Sequence, residues 1–570
     1  MKVLGISCYY HDAAAALVVD GQIIAASEEE RFTRKKHDAN FPVNAIRECL
    51  RQGGIGIDDI DLVCFYEKPL RKLERVLVCG AAFQSADYSV TENQISKSLK
   101  QRLFVPEVLK VELGYRGQVN YVEHHLAHAA SAFFGSKAQS AAVLTIDGVG
   151  EWTSTAIYKG EGHTIAKLRE IHYPNSLGLF YSTMTAYLGF KVNNDEYKVM
   201  GLASYGTPRY VDELRQLIHF HDDGSFRLNL DFFEFHKGTG RMFSDALVKM
   251  FGESRIPESG IDDLHKDLAS STQALLEEGV LALVTKAHEL TRGETLCMAG
   301  GVALNCVANA RIKREGPFKD VWVQPAAGDG GGSLGAALYA WHTHASSAEK
   351  EKHQAESMTQ RYSTTLGPQW SAQQIRETLD QEDAIYTEFD EQALIEKTAD
   401  LLAESYIIGW YQGRMEFGPR ALGNRSILAN PTNPDMQQIL NSRVKFREEF
   451  RPFAPAVRAE DAQDWFEIEE ESPFMLFAPS VKEGVGEKLP SITHVDNTAR
   501  VQTVASEDNK KFHQLLTAWK QRTGVPVLIN TSFNVRGEPI VCSPADAYRC
   551  FLRTDIDFLI MDNFLVEKEA

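Results

Sequence analysis

The chain has 570 residues and a formal charge of −18 at pH 7, with 44% apolar and 24% charged residues, which is the profile of a globular protein with room for several domains. No apolar run reaches the ~18 residues of a membrane span, and the acidic balance repels a phosphate backbone and favours a cationic small substrate. The eight cysteines form no Cys-x-x-Cys pair, which argues for a reduced interior and against thiolate zinc.

Residues 3–6 form a short apolar strand, so the N-terminus reads as the start of a fold and not as a leader; a cytoplasmic location is the expectation. A turn at residues 7–12 holds His11 and Asp12. Residues 13–19 and 22–26 are strands joined by Asp20-Gly21, a two-residue hairpin turn. His124-His125-Leu126-Ala127-His128 opens a run rich in helix formers. His124 and His128 are four apart and share a helix face at roughly 5–6 Å. That is a usual way to offer two nitrogens to one metal, although such a pair alone is more often a hydrogen-bonded surface feature. Residues 142–146 are an apolar strand ending at Asp147, where a carboxylate adds an oxygen ligand. A turn at 147–151, a return strand at 153–158 and a third strand after Gly162 repeat the opening pattern, a degenerate internal repeat.

Residues 295–299 run as a strand into Gly300-Gly301, followed by a helix near Val302 that carries Asn305. Residues 321–323 lead to Gly328-Asp329-Gly330-Gly331-Gly332 and a helix over 334–341. Glycines at helix N-termini let backbone N–H groups approach an anion or nucleotide. Four such turns in two related halves have the layout of an actin-like ATPase, a fold-level analogy.

A polar stretch at 346–370 reads as a linker or exposed helix. Beyond it, residues 407–411 and 525–529 look like buried strands of a second domain. Within 414–458, eight cations (Arg414, Arg420, Arg425, Arg443, Lys445, Arg447, Arg451, Arg458) face four anions, a local charge of +4. Arg forks and Lys ammonium groups bind phosphates; a solvated charged face is the plainer alternative. Arg500 precedes another strand. Asn530 and Ser532 follow the strand at 525–529, where a polar loop commonly binds ligand or simply makes a turn.

Together these stretches resemble the NodU/CmcH family of O-carbamoyltransferases. The resemblance rests on residues 124–129, 147–151, 198–203, 300–305, 328–331, 417–426 and 451–455, and covers nearly the whole chain. It implies an α/β protein: an actin-like ATPase (TsaD-like) duplicated domain at 1–345, a linker at 346–370 and a YrdC-like α/β domain at 371–570. The second domain would make carbamoyladenylate from carbamoyl phosphate and ATP with Mg2+, and the first would pass the carbamoyl group to a hydroxyl. His124, His128, Asp147 and Asp329 would match the ligands of one divalent transition metal, usually Fe2+, although an N/O set of this kind also suits manganese, nickel or zinc. Arg420, Arg425, Lys445, Arg451, Arg500, Asn530 and Ser532 would match the groups holding ATP and carbamoyl phosphate, with Arg420 and Lys445 stabilising charge at the reacting phosphate. The motifs with Lys198, Gly300, Gly301, Asn305 and Gly330 would serve the nucleotide in the first domain.

His11 and Asp12 are placed to take the acceptor's proton, with a backbone-bonded turn histidine as the alternative. The expected partners are carbamoyl phosphate, ATP and a small-molecule alcohol, a natural product such as an aminoglycoside or a saxitoxin-type guanidinium toxin. No nucleic acid or membrane is expected, and a homodimer is allowed. Competing readings are a modifier of tRNA or protein, an actin-like small-molecule kinase and a non-catalytic actin-like assembly protein.

Overall fold

The structure is a computed structural model that describes residues 1–83, 102–237, 239–357, 361–448 and 450–569. Residues 358–360 of the expected linker and Glu449, one of the anions counted above, lie outside the described residues. The chain folds into two units. One comprises Met1–Glu29 and His37–Tyr362; the other comprises Glu30–Lys36 and Ser363–Ala570. The division falls inside the stretch expected to be a linker, whose first part is a helix, Ser347–Ser357. The seven residues 30–36 that join the second unit were not foreseen.

In the first unit, β1 (Lys2–Ser7), β2 (Ala14–Val19), β3 (Gln22–Glu28), β4 (Leu62–Phe65) and β5 (Val119–Tyr121) form a sheet ordered β3-β2-β1-β4-β5. β1 to β3 pair antiparallel, and β4 and β5 add in parallel. The expected Asp20-Gly21 turn is present, with φ of 49° and 85°, the doubly positive pair of a type I′ hairpin. The second sheet uses β6 (Ser140–Ile146), β7 (Thr153–Glu161), β8 (Thr164–His172), then, after a small β9 (Ile218–Phe220)–β10 (Phe226–Leu228) hairpin, β11 (Thr295–Ala299) and β12 (Asp320–Val323). Its order is β12-β11-β6-β7-β8, with the same antiparallel and parallel pairings. The repeat seen in the sequence is thus a duplicated sheet topology, the arrangement of an actin-like fold.

The helix His124–Ser136 packs on the second sheet, the helix Asp329–His344 packs on the first, and the two helices pack on each other. Their approach needs Gly335, where a Cβ would stand 1.8 Å from the Ala127 carbonyl oxygen. Two sequence expectations are corrected here. The helix after Gly300-Gly301 starts at Cys306, with Asn305 as its cap, and only a 3-10 turn precedes it. The helix expected over 334–341 starts at Asp329, because Gly331 and Gly332 allow the close packing of its first turn on Ala326 and Tyr66.

The second unit is built on one mixed sheet. It contains β13 (Ile385–Glu388), β14 (Ile408–Tyr411), β15 (Arg425–Ala429), β16 (Ala454–Arg458), β17 (Gln502–Val504), β18 (Val527–Ser532), β19 (Phe558–Met561) and β20 (Phe564–Glu567). The order is β13-β20-β19-β14-β15-β18-β16-β17. Successive residues of its central strands enter two separate cores: Ile427 and Ile529 one, Leu428 and Leu528 the other. Both faces are apolar, so these strands read as continuous apolar runs without alternation.

Candidate active site

The turn that follows β6 builds the first site twice over. Asp147 supplies a carboxylate, and Glu151 caps the helix that carries the histidines: its oxygens accept from the His124 backbone N at 3.1 and 3.2 Å and from Lys68 N at 2.7 Å. An acid there suits the exposed N–H groups and positive end of the helix dipole. His124 Nε2 stands 2.9 Å from Asp147 Oδ2 and 3.1 Å from His128 Nε2. Asp329 Oδ1 is 3.6 Å from both histidine Nε2 atoms. All four residues converge within 4.8 Å of one another and are buried. Asp147 Oδ1 accepts from Gly301 N at 3.1 Å, and Gly300, with φ of 93°, lets that turn pass where a Cβ would meet the Ile146 carbonyl oxygen at 2.2 Å.

Both carboxylate oxygens of Asp329, only 1% exposed, lack a hydrogen-bond partner. Buried charge of that kind is unfavourable unless something completes it, and two imidazole nitrogens with two carboxylates form a donor set for a divalent transition metal. The residues present therefore fit the metal that the resemblance implies. Burial pushes the acids up, but the neighbouring histidines prevail and hold Asp147 well below the usual carboxylate range and Asp329 below it. Burial would lower His128, yet Asp147 and Asp329 beside it raise it to about 9; these are the attractions that an ion would replace. His125 turns to Thr145 Oγ1 at 2.8 Å and, as burial dictates, is held well below the ordinary histidine range, outside the cluster.

His11 reaches the rim of this cluster. Its Nδ1 is 2.8 Å from Asp12 Oδ2, and its Nε2 is 3.9 Å from Asp329 Oδ2. Against burial, the charges of Asp329 and Asp12 raise it to about 10. A side-chain carboxylate therefore orients the ring, and backbone bonding does not. A buried triad that the sequence reading missed stands beside this turn. Glu67 pairs with Lys72 Nζ and Arg102 Nε, each at 2.6 Å, and Arg102 donates to the Tyr9 carbonyl. The signal for Glu67 was present, since residues 62–66 are an apolar run ending in an acid, as at Asp147.

The residues expected to hold nucleotide in this unit have structural partners. Gly301 serves Asp147. Asn305 caps the helix Cys306–Glu315 and donates to Gln273 Oε1 at 3.0 Å. Lys198 is buried 3.2 Å from Asp195. Gly330 sits in the first turn of the Asp329 helix, where an added Cβ would contact Glu28 and Ala14.

In the second unit, Lys445 ends a buried turn (Leu440–Lys445), and its Nζ donates to the carbonyl and hydroxyl of Ser532 and to Asn534 O and Oδ1 at 3.0 and 2.9 Å. Burial, then the charges of Arg447 and Arg451, pushes the ammonium well below its usual range. Asn530 donates to Gln502 Oε1 at 2.7 Å and to Ala421 O at 3.4 Å, while its buried Oδ1 has no partner. It thereby ties together β18, the loop after Arg420 and the strand after Arg500. Arg451 lies 3.8 Å from Glu448.

Arg425 departs from its expected role. It is fully buried, stacks 3.7 Å over the Tyr411 ring and donates to the carbonyls of Gln412, Asn424, Pro368 and Gly413. Its two terminal nitrogens turn to main-chain oxygens and clamp the surrounding loops, while its buried Nε has no partner. Glu416, read only as an anion, organises the same loop: its Oε1 accepts from the N–H groups of Leu422 and Asn424 at 2.6 and 2.8 Å. The excursion 30–36 braces the loops around Lys445. Arg31 donates to Gly418 O at 2.9 Å, Arg34 donates to Ile540 O and Pro539 O at 2.7 and 2.9 Å, and Phe32 packs with Met415, Ala421, Ile540 and Cys542.

An uncharacterised protein of Synechocystis is 47% identical, covering 100% of this chain and 97% of its own length. The nodulation protein NolNO of Sinorhizobium fredii is 39% identical over 99% of this chain and 80% of its own. Component A of the (R)-2-hydroxyglutaryl-CoA dehydratase of Acidaminococcus fermentans aligns with 60% of this chain and 99% of its own, at 15% identity and a TM-score of 0.34. No helix among the described residues is long and apolar enough to cross a membrane. Residues 2–338 match the carbamoyltransferase N-terminus and residues 399–568 the carbamoyltransferase C-terminus, so the chain belongs to the carbamoyltransferase family and is a transferase of carbamoyl groups.

Proposed function

We propose that the protein is an ATP-dependent O-carbamoyltransferase acting on a hydroxyl of a small-molecule natural product. Water hydrolyses carbamoyl phosphate to carbamate and phosphate; a carbamate oxygen attacks the α-phosphorus of ATP and pyrophosphate leaves. Lys445, Arg420, Arg451, Arg500 and Ser532 of the second unit hold the phosphates and offset the charge that builds there. The acceptor oxygen then attacks the carbamoyl carbon, its proton passes to His11 Nε2, and AMP leaves; a cation held by Asp329 would offset the carboxylate charge that keeps His11 protonated and so free Nε2 as the base. His124, His128, Asp147 and Asp329 hold a divalent metal, Fe2+ by family resemblance, which when bound supplies Lewis-acid polarisation of the carbamoyl carbonyl. ATP carries its Mg2+.

The observation that carries this reading is the buried His2Asp2 cluster with His11 Nε2 at its rim, 3.9 Å from Asp329. A kinase would have no use for the Lys445 site, and a tRNA partner conflicts with the net charge of −18. The acidic balance favours a cationic acceptor. Incubation of the protein with [14C]carbamoyl phosphate, ATP and a panel of hydroxylated natural products, aminoglycosides included, tests the reading. Label is expected in an acceptor only when ATP is present; ATP-dependent phosphorylation of the acceptor without carbon label refutes it.

A further inference from the structure

His37 lies in none of the motifs that led to the cluster, yet it is wired to it. Asp12 sits between two imidazoles, with Oδ2 2.8 Å from His11 Nδ1 and Oδ1 2.6 Å from His37 Nδ1. On its far side, His37 Nε2 is 2.7 Å from Asn194 Oδ1. The direction of that amide is fixed, because its Nδ2 donates to Asp195 Oδ1 at 2.6 Å and a carboxylate accepts only from a donor. An oxygen therefore faces His37 Nε2, which must donate. A carboxylate faces His37 Nδ1, which must donate as well. Asp195 pairs in turn with Lys198, so one line of polar contacts runs from Lys198 through Asp195, Asn194, His37 and Asp12 to His11. This places Lys198 at the far end of a line of contacts that reaches His11.

The backbone is gripped at the same place. Tyr9, Asp12 and His37 hold φ of 74°, 51° and 57°, a left-handed conformation that non-glycine residues adopt rarely and mostly where their surroundings enforce it. Tyr9 N donates to Ala39 O at 2.7 Å and Ala13 N to Asp38 O at 2.9 Å. Residues 37–39 thus hold the turn on both sides of Asp12, and the His37 ring holds Asp12 itself.

We propose that His37 is a positioning residue for proton transfer at His11: by donating to Asp12 Oδ1 it fixes the carboxylate so that Oδ2 holds His11 Nδ1–H and His11 Nε2 is aimed at the cluster. The inference deepens the carbamoyl-transfer reading and rests on it. As the acceptor oxygen bonds to the carbamoyl carbon, its proton moves to His11 Nε2 and the carbon–oxygen bond to AMP breaks.

The test uses the full chain, synthetic carbamoyladenylate and molar methanol as the probe alcohol, with methyl carbamate as product. His37→Leu, which removes the donor at similar volume, is expected to lower kcat by about 10- to 100-fold, part of the ~10²–10⁴ that a positioned base contributes, with KM for methanol and carbamoyladenylate unchanged. His37→Asn, which keeps an N–H facing Asp12, is expected to retain kcat within about threefold. Equal loss in both variants, or a change confined to KM, overturns the proposal. NMR of the 15N-histidine-labelled protein supplies a readout independent of transfer. One imidazole should show both N–H signals protected from exchange; His37→Leu should delete it, Asp12→Asn should shift its Nδ1–H, and Asn194→Ala should shift its Nε2–H. Absence of such a ring refutes the array even if transfer is observed. A wild-type protein that shows the ring but makes no methyl carbamate refutes the transfer reading instead.

Discussion

The His124/His128/Asp147/Asp329 cluster of the first unit and the Lys445 site of the second are both buried and charged, but the protein completes them differently. In the first, each ligand sits at the end of a regular element: the opening turn of one helix, the end of β6 and the first residue of another helix. Opposite charges converge there and Asp329 is left without a hydrogen bond, so the site needs something to finish it. In the second, four neutral oxygens of Ser532 and Asn534 surround the three N–H groups of Lys445. No acid is among these partners, and burial with Arg447 and Arg451 disfavours the ammonium, so an incoming anion would favour the charged form. Arg425, twenty residues away in sequence, has its two terminal nitrogens on carbonyls and its plane on an aromatic ring, and only its buried Nε is left without a partner. A buried charge points to a ligand only where the protein leaves it uncompensated.

Crossed half-reactions give the largest effects and break the comparison most directly. Lys445→Ala and Arg420→Ala should lower carbamoyl-phosphate-dependent exchange of pyrophosphate into ATP by at least about 10²–10³-fold, as loss of one donor to a developing anion does elsewhere. Both should spare transfer from supplied carbamoyladenylate. His128→Ala should do the reverse. Equal failure of both half-reactions in folded variants would mean that the chemistry is not divided between the units as proposed.

Metal binding should come next in size. A divalent ion at 100-fold over its Kd should stabilise the protein by about 2.7 kcal/mol, read as a raised midpoint in thermal or denaturant unfolding and reversed by a chelator. Asp329→Asn should lose most of that shift. A shift of equal size in Asp329→Asn would place the ion elsewhere and remove the contrast between the sites.

Much of the first site was legible because its signals are local. An i, i+4 histidine pair and an acid after an apolar strand each mark their own geometry, and the repeated strand–turn–strand pattern gave the duplicated sheet. Asp329 came only from family resemblance, since a helix that starts on glycines hides its own beginning. Glu151, His37 and residues 30–36 were missed because their roles depend on partners far away in sequence: a helix cap formed across 27 residues, a hydrogen bond across 157, a brace across more than 380. Nothing in the sequence separates Arg425 from Arg420. That distinction is made by where the carbonyls of residues 368, 412, 413 and 424 point.

The excursion offers a sharper test of the second site. Arg31→Ala or Arg34→Ala removes charged hydrogen bonds to the loops bearing Gly418 and Ile540, each worth about 1.5–3 kcal/mol. With those loops less firmly held, pyrophosphate exchange should fall about tenfold while metal uptake by the first unit stays unchanged. Unaltered exchange in both variants would reduce the segment to packing.

The smallest effect concerns a histidine that neither site uses. His342 is buried, stacks on Phe134 at 3.7 Å and faces His163 Nδ1 at 2.8 Å. Burial, then the charges of His163, His353 and Lys350, pushes it down from 6.5 to about 2. The folded protein therefore refuses a proton that the unfolded chain takes up below pH 6.5, so this group is neutral in its effect above that pH and destabilising as the pH falls towards 2. The slope is about 1.4 kcal/mol per pH unit, or about 2 kcal/mol between pH 6.5 and 5. Urea midpoints of wild type and His342→Gln, compared at pH 7 and pH 5, should show that much extra loss in the wild type, because every other titrating group is common to both. Parallel loss would mean that His342 does not carry the acid sensitivity; the depressed carboxylates of the metal cluster would not account for it either, because they lose their contribution only below the ordinary carboxylate range.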